Sequence, residues 1–399
     1  MNRKDVAALR RQLKLDNDLL SITHIYNVFI KQESSDIYHE ECQAFALLDR
    51  EQQELFLANF KKVLGGRLGE KLFEIRFQRS AVDQPNETQQ RLYEGLQTGD
   101  LGEWKAILRE LALKMVQDVQ YDKDIVITYI RGDYRKPTKR HSQETEIHEF
   151  DEVYRTPFML CSLNQTEQPK RSLIFDFIEK EFKLNWMADP VINLTSPLGG
   201  FLFPCFTDNA ADVNHILYAA GKANQPDMRF IESVLGGEQM MTAKEDKAVF
   251  EEIVKEVIGD QVNAETLSNV YEEINRLIDE EEEEQETSAM LDTKVVERVL
   301  KVSGVEEADT EKVQKAFKKV VDDENYELKA SHVLPSFTSK SIKIDTKVAK
   351  ISISPQDLKY VRQVNLNGKR CILIEVEEDA VIEGFTLLPE ELLKEGESR

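Results

Sequence analysis

The sequence predicts an α+β fold, with a mixed N-terminal α/β domain, a helical middle section and a small C-terminal β-sheet with helices. Three observations indicate this class. Apolar runs typical of strands dominate the first half, helical periodicity follows, and short strand-like segments return near the carboxyl end. The chain has 399 residues, 41% of them hydrophobic. This is enough for several cores and excludes a wholly disordered protein.

The first predicted domain spans residues 1–206 and mixes strands with helices. Asp100 is expected to begin a helix as its N-cap, because apolar side chains recur every three or four residues from Leu101 to Val119. The segment after Ile130 is polar, so we predict a long loop there, of a kind that is usually mobile or functional. Apolar runs or alternation predict four strands, at Ile22–Ile30, Leu72–Phe77, Asp124–Ile130 and Val153–Leu163.

The second predicted domain, residues 207–286, is helical and ends in an acidic linker. Asp208 or Asn209 can cap a helix that runs through Val213–Ala219. Six consecutive acids, Asp279–Glu284, predict a solvated helix end and a linker, because a dense run of like charges repels itself. Further helices are predicted at Met228–Leu235, after the capping box Thr242–Glu245, and after the cap Asn263.

The third predicted domain, residues 287–399, combines helices with a small sheet. Asn367 and Gly368 form the dipeptide favoured in two-residue hairpin turns, because both turn positions require a positive φ. Asp292 and Asp309 are candidate N-caps for two helices, Thr293–Val302 and Thr310–Val321. Strands are predicted at Ser341–Ile344, Val348–Ile353, Val361–Leu366 and Lys369–Val376.

Positive charge is concentrated near the carboxyl end of an acidic chain. The formal net charge is −22, yet nine basic and two acidic residues give residues 329–370 a local charge of +7. A second basic island follows the predicted strand Asp124–Ile130. Basic side chains on neighbouring strands can neutralise phosphates and release counterions. We therefore predict nucleic-acid contacts at Lys343, Lys347, Lys350, Lys359, Arg362, Lys369, Arg370, Arg131, Arg135 and Lys136.

Other roles for these basic residues stay open at this point. They can pair with acidic helices of the same chain or protect exposed sheet edges from association. In the second island, Arg131 and Arg135 flank Asp133, and the three can bind an anion through the arginines or form a surface network of ion pairs.

A second candidate site is a metal centre. Asp208, Asp212 and His215 are spaced at i, i+4 and i+7, so a helix that begins at Asp208 would present all three on one face. Two carboxylates and an imidazole suit a hard or borderline divalent cation, and such a site would indicate a metal-dependent hydrolase or nuclease. The alternative is that Asp208 serves only as the N-cap of the helix.

No catalytic signature of the GxSxG, HExxH, Walker A or GxGxxG type is present. We therefore lean away from an enzyme and expect no cofactor. The charged N-terminus lacks the apolar segment of a secretory signal, and prolines interrupt the longest uncharged stretch, so we expect a cytoplasmic protein without a membrane span. The cysteines are too far apart in sequence for a CxxC pair and too few for a disulfide framework: Cys42, Cys161, Cys205 and Cys371.

Several segments carry a family resemblance. MNRKDVAALRRQLKLDN, YDKDIVITYIRGDYRKPTKR, SLNQTEQPKRSLIFDFIEKEFK, FTDNAADVNHILYAAGKANQPD and RVLKVSGVE resemble the bacterial family DUF4317 over nearly the whole chain. This resemblance implies a soluble protein of about this length and no particular activity. From Phe230 onward, the order FIESVLG, YEEINRLIDEEEE, FKKVVDDENYELKASHVLP, KVAKISISPQDL and KRCILIEVEE is similar to the nucleoid-associated protein family, which implies a role linked to DNA.

These observations favour a bacterial, non-enzymatic protein that binds the nucleic-acid backbone through the C-terminal basic residues. No recognition helix or aromatic pair for base stacking is visible, so we expect contacts to phosphates without base selectivity. Two alternatives remain. One is the metal-dependent hydrolase or nuclease, and the other is an interaction scaffold whose acidic linker at 279–284 engages a basic protein.

Overall fold

The computed structural model describes residues 1, 3–17, 19–79, 86–137, 153–168, 172–185, 189–207, 210–259, 263–284, 289–323, 326–335, 341–366, 368–382 and 385–386. Helices and antiparallel strands occur together, which confirms the α+β class. The chain divides into two compact units, Met1–Thr242 and Ala243–Arg399. The three predicted domains, with boundaries at residues 206 and 286, stay a prediction. Among the described residues, no helix has the length and apolar content needed to cross a bilayer.

The N-terminal unit contains four helices and twelve strands among its described residues. The helices are α1 (Arg3–Gln12), α2 (Arg50–Val63), α3 (Glu87–Gln97) and α4 (Leu101–Val116). The strands are β1 (Leu20–Ile30), β2 (Ile37–Ala44), β3 (Leu72–Arg76), β4 (Ile125–Pro137), β5 (Val153–Glu167), β6 (Ser172–Asp176), β7 (Glu181–Asn185), β8 (Val191–Ile192), β9 (Gly199–Phe203), β10 (Cys205–Thr207), β11 (Ala210–Asp212) and β12 (His215–Ala220).

One antiparallel sheet organises this unit. Its strand order is β2-β1-β4-β5-β9-β12-β3, and β8 pairs with β5. Successive side chains of a strand point to opposite faces, so the sheet supports two cores. On one face α3 and α4 contribute Leu92 and Trp104, and on the other α1 and α2 contribute Leu9 and Phe60. Because both faces are covered, the inner strands are apolar at consecutive positions.

Local capping chemistry explains where the helices of this unit begin. The Asp100 side chain accepts a hydrogen bond from the Gly102 backbone N–H, which confirms the predicted N-cap of α4. Asp49 and Gln52 form a reciprocal capping box at α2. The predicted helix near Met228–Leu235 is present as a short helical segment with a π-helical turn at Phe230–Val234, and it ends before Gly236, whose φ is +65°.

Two predicted elements of this unit are wrong. The loop predicted to begin after Ile130 begins later, since β4 continues to Pro137 and pairs with both β1 and β5. The helix predicted through Val213–Ala219 is absent, because these residues belong to a turn and to β12, which pairs with β3 and β9. Ladder hydrogen bonds and burial of both strand faces outweigh the local cap and spacing signals at these two places.

The C-terminal unit is built on five helices and small hairpins among its described residues. The helices are α5 (Ala243–Ile258), α6 (Ala264–Glu284), α7 (Thr293–Val302), α8 (Thr310–Val321) and α9 (Ala330–Val333). The strands are β13 (Met290–Leu291), β14 (Leu328–Lys329), β15 (Ile342–Asp345), β16 (Lys350–Ile353), β17 (Val361–Leu366), β18 (Lys369–Ile374), β19 (Val381–Ile382) and β20 (Phe385–Thr386).

The helices of this unit enclose an apolar core around Phe250, Ile274 and Phe317. Asp292 and Asp309 accept hydrogen bonds from the Val295 and Lys312 backbone N–H groups, so both predicted N-caps are confirmed. The Asn263 side chain likewise accepts from the Thr266 N–H at 2.6 Å at the start of α6. A short 3-10 helix, Pro355–Tyr360, buries the Leu358 side chain.

Candidate functional site

The first basic hairpin pairs β15 with β16. Asp345 lies opposite Lys350, and Lys343 lies opposite Ser352. Directly opposed residues of an antiparallel pair share a face, so Lys343 and Lys350 project from the same side with Asp345 beside them. All three are exposed, whereas the isoleucines of the other face are half-buried. The hairpin therefore presents one polar face to water.

The turn of this hairpin presents a third basic side chain, that of Lys347, to the solvent. The Thr346 hydroxyl accepts hydrogen bonds from the Val348 and Ala349 backbone N–H groups and donates to the Ala349 carbonyl. Lys347 lies inside this tight turn and is exposed. A threonine that closes its own turn fixes the backbone, so the lysine is displayed at the tip of the hairpin.

The second basic hairpin pairs β17 with β18. Arg362 lies opposite Leu373 and Lys369 opposite Leu366, whereas Arg370 lies opposite Asn365. Strand alternation therefore places Arg362 and Lys369 on one face and Arg370 on the other. Lys359 precedes the hairpin, with its Nζ 5.3 Å from the centre of the Tyr360 ring.

These basic side chains are all exposed to water. Within the described part of the chain, none of them lies within 4.0 Å of a carboxylate as an ion pair. The alternative of internal pairing with acidic helices is thus not seen among those residues. For the rest of the article, "basic hairpin surface" denotes Lys343, Lys347, Lys350, Lys359, Arg362, Lys369 and Arg370.

The second basic island has a different environment. Arg131 lies on β4, donates a hydrogen bond to the Thr98 carbonyl at 3.0 Å and places its guanidinium 5.0 Å from the centre of the Trp104 ring. Burial lowers the pKa of Arg131. Arg135 is half-buried, and the Lys136 side chain lies outside the described residues. Arg131 therefore has partners within its own unit, while the contribution of the island to nucleic-acid binding stays a prediction.

The acidic run was predicted to end a helix and start a linker. The helix α6 extends through this run to Glu284. Arg276 donates hydrogen bonds to Glu273 and to Glu280, at 2.9 Å and 2.6 Å. The bond from Arg276 is the main cause of the lowered pKa of Glu273. Side chains beyond Glu280 lie outside the described residues, so the scaffold alternative stays a prediction.

The structure changes which residues form the candidate metal site. Asp208 lies outside the described residues, and the helix expected to align it with Asp212 and His215 does not exist. Nevertheless, Asp212 Oδ2 lies 2.6 Å from His215 Nδ1, because β11 and β12 are joined by a tight turn. The Asn214 backbone N–H donates to the other carboxylate oxygen of Asp212 at 2.9 Å. These bonds hold the carboxylate and imidazole in a defined orientation.

Glu74 completes this cluster from the neighbouring strand. It lies on β3 opposite Leu217, diagonal to His215 across the pair β3–β12. One ligand atom from each of Glu74, Asp212 and His215 lies within 4.8 Å of the others. The Met1 ammonium is 2.6 Å from Glu74 Oε1, so this carboxylate already has a cationic partner. The alternating segment containing Glu74 indicated a strand, but nothing in it indicated which strand would lie beside it.

A buried thiol adjoins the cluster. Cys205 lies opposite Asp212 in the pair β10–β11. Burial raises the pKa of the Cys205 thiol well above its ordinary value, and the nearby Glu74 carboxylate raises it further. The sulfur therefore stays protonated near neutral pH, and it is not a ready nucleophile in this state.

Comparisons with known proteins give a family and no named relative. A family model described as "Domain of unknown function (DUF4317)" matches residues 1–385 of the chain. No curated protein and no solved structure matches it. The similarity of the second half to nucleoid-associated proteins is not shown by this match.

Proposed function

Because the chain belongs to the DUF4317 family, whose description names no activity, we propose its function from the surfaces described above. The protein binds the phosphate backbone of nucleic acids through the basic hairpin surface. The observation that carries this proposal is that these seven side chains are exposed and lack ion-pair partners among the described residues.

Counterion release explains how such a surface can work on an acidic chain. Each phosphate neutralised by a lysine or arginine releases condensed cations, which favours binding at low salt. The remaining surface is strongly acidic, since the whole chain has a net charge of −22. It repels nucleic acid and confines attraction to the basic hairpin surface. The contacts are backbone contacts, which position a duplex without reading its bases.

Salt dependence gives the direct test. We expect a fluorescent duplex of about 20 base pairs to bind with a slope of log K against log salt of about −4 to −5, for roughly four to six phosphate contacts, since Arg370 lies on the other face of its hairpin. The variant K343Q/K350Q/R362Q/K369Q should lose binding by roughly 100-fold or more at about 50 mM salt and show a shallower slope. Fluorescence anisotropy measures both quantities.

A matched control removes lysines that already have partners. Lys312 and Lys315 of α8 pair with Glu307 and Glu311 in the same unit. The variant K312Q/K315Q should bind the duplex much as the wild type does, since paired lysines contribute little net positive field. Absence of binding by the wild type at low salt, or an equal loss in the control variant, would contradict the proposal.

A second candidate function is a divalent-metal centre at Glu74, Asp212 and His215. The grouping of these ligand atoms within 4.8 Å favours it. A metal held by both Asp212 and His215 Nδ1 would replace the 2.6 Å hydrogen bond that joins these two groups. Three protein ligands leave a position for water, as in hydrolytic zinc sites. A metal would have to displace the Met1 ammonium from Glu74, which weakens its binding.

Metal titration of the chelator-treated protein tests this candidate. We expect one equivalent of Zn²⁺ or Mn²⁺ to bind in calorimetry, and affinity to fall at least about 10-fold in E74Q and H215A. The control is H39A, which removes an exposed histidine of β2 away from the cluster. If the wild type takes up no metal, or if E74Q binds it as the wild type does, this candidate is wrong.

A further inference from the structure

The hairpin formed by β6 and β7 has one face made only of large apolar side chains. Leu173 lies opposite Leu184, and Phe175 lies opposite Phe182. The Phe175 ring centre lies 5.2 Å from those of both Phe177 and Phe182. We call these residues the apolar hairpin face: Leu173, Phe175, Phe177, Phe182 and Leu184.

This face lies in water. Its exposed fractions are 67% for Leu173, 40% for Phe175, 84% for Phe177, 72% for Phe182 and 45% for Leu184. The opposite face carries the ion pair between Lys183 and Asp176. Among the described residues, β6 and β7 pair only with each other. An isolated two-stranded hairpin is marginally stable in water, so an exposed apolar face of this kind requires a partner.

We propose that the apolar hairpin face docks onto the same face of a second copy of this chain. A two-fold axis brings identical patches together, and docking this patch onto itself would bury no charged side chain. Stacked phenylalanines and leucines of two copies would form one small core between the hairpins.

The available area agrees with a dimer. Three partly exposed phenylalanines offer roughly 400 Å² if a full side chain buries about 200 Å². The two leucines and Ile178, which is 92% exposed at the tip, bring the total to roughly 600 Å² per copy. Two copies would thus bury about 1,200 Å², which is the lower end of the range for specific protein interfaces.

Charge argues against an anionic lipid surface as the partner. The hairpin carries Asp176, Glu179 and Glu181 against Lys180 and Lys183, and the whole chain has a net charge of −22. An anionic membrane would repel both the acidic residues of the hairpin and the negatively charged chain as a whole. Two copies also repel each other through their net charge, so added salt should strengthen the dimer. Nucleic-acid binding should weaken with salt, so the two proposals fail or hold separately.

Sedimentation of the full chain tests the dimer. At about 1 to 100 μM protein we expect a monomer–dimer equilibrium. Its Kd should decrease when the salt concentration is raised from about 50 mM to about 500 mM. F182D should raise the Kd about 30-fold or more, because it places a charge in the centre of the interface. Since Phe182 is 72% exposed, the circular dichroism of F182D should match that of the wild type, and so should its thermal midpoint at concentrations where both proteins are monomeric.

The matched control is I174D, which places the same charge on the opposite face of the hairpin, where Ile174 lies opposite Lys183. It should dimerise as the wild type does. A wild type that stays monomeric at both salt concentrations overturns the proposal, including the case in which that monomer binds lipid vesicles through Phe182. A dimer that F182D leaves intact, or that I174D weakens equally, also overturns it.

Discussion

Replacement of Trp104 by alanine is expected to lower the free energy of unfolding of the N-terminal unit by about 3 to 5 kcal/mol. The indole is fully buried between α4 and the central sheet. Its Nε1 donates to Met159 Sδ at 3.3 Å, and its ring is 6.2 Å from that of Tyr26. Alanine would leave a cavity that this sheet cannot close, because its strands are held in register on both sides.

The W104A substitution also removes the aromatic ring on which the Arg131 guanidinium packs. The guanidinium of Arg131 lies 5.0 Å from the centre of the indole ring. Without the ring, a cation beside an apolar cavity adds to the cost. Urea unfolding followed by circular dichroism measures the change.

The control for this prediction is Leu113, which lies on the outer side of the same helix and is 37% exposed. L113A should change the free energy of unfolding by less than about 1 kcal/mol. Equal destabilisation by W104A and L113A would contradict the prediction that burial of the indole makes the larger contribution to stability.

Replacement of Asp246 by alanine is expected to destabilise the C-terminal unit by about 3 to 5 kcal/mol. Its buried carboxylate lies 2.6 Å from His332 Nδ1 and accepts a hydrogen bond from the Tyr326 hydroxyl at 2.9 Å. Burial, and then the Asp246 charge, raises the pKa of Tyr326. Loss of the carboxylate removes one acceptor from two polar groups in the interior, and such a loss costs more than a surface hydrogen bond.

Two further variants calibrate this result. Y326F removes one of the two hydrogen bonds and should cost about 1 to 1.5 kcal/mol. K244A changes an exposed residue in the first turn of α5 and should have little effect. The urea-unfolding midpoints of D246A, Y326F and K244A measure the order of their stabilities. A D246A protein as stable as K244A would mean that this network does not join α5 to α9.

Sequence patterns located the helix ends well where the determining contacts are local. α7 and α8 begin at the residues expected from Asp292 and Asp309, because an aspartate caps the backbone N–H group three residues ahead. Strands with strong apolar patterns, such as β1, were also predicted nearly to their ends. The failures came where tertiary pairing competes with local signals, as in β12, where polar residues before HILYAA imitated a helix start.

The candidate sites also differ in whether local sequence or tertiary pairing determines them. The basic residues of β15–β18 were found from composition, and their exposure agrees with the polar positions of alternating strands. Glu74 was not predicted as part of the metal site, because no sequence pattern indicates that β3 lies beside β12. The apolar hairpin face was missed because no strand was predicted at Ser172–Asp176 or at Glu181–Asn185.

By itself, the sequence determined the α+β class, the charge distribution and where the helices α4 to α8 begin, since each depends on composition or on contacts between residues a few positions apart. Only the tertiary structure decided which strand faces are covered, that Arg131 packs on Trp104, and that Glu74 meets Asp212 and His215. These contacts join residues far apart in the chain. Strand pairing brings them together, and pairing depends on the whole sheet and not on any one segment.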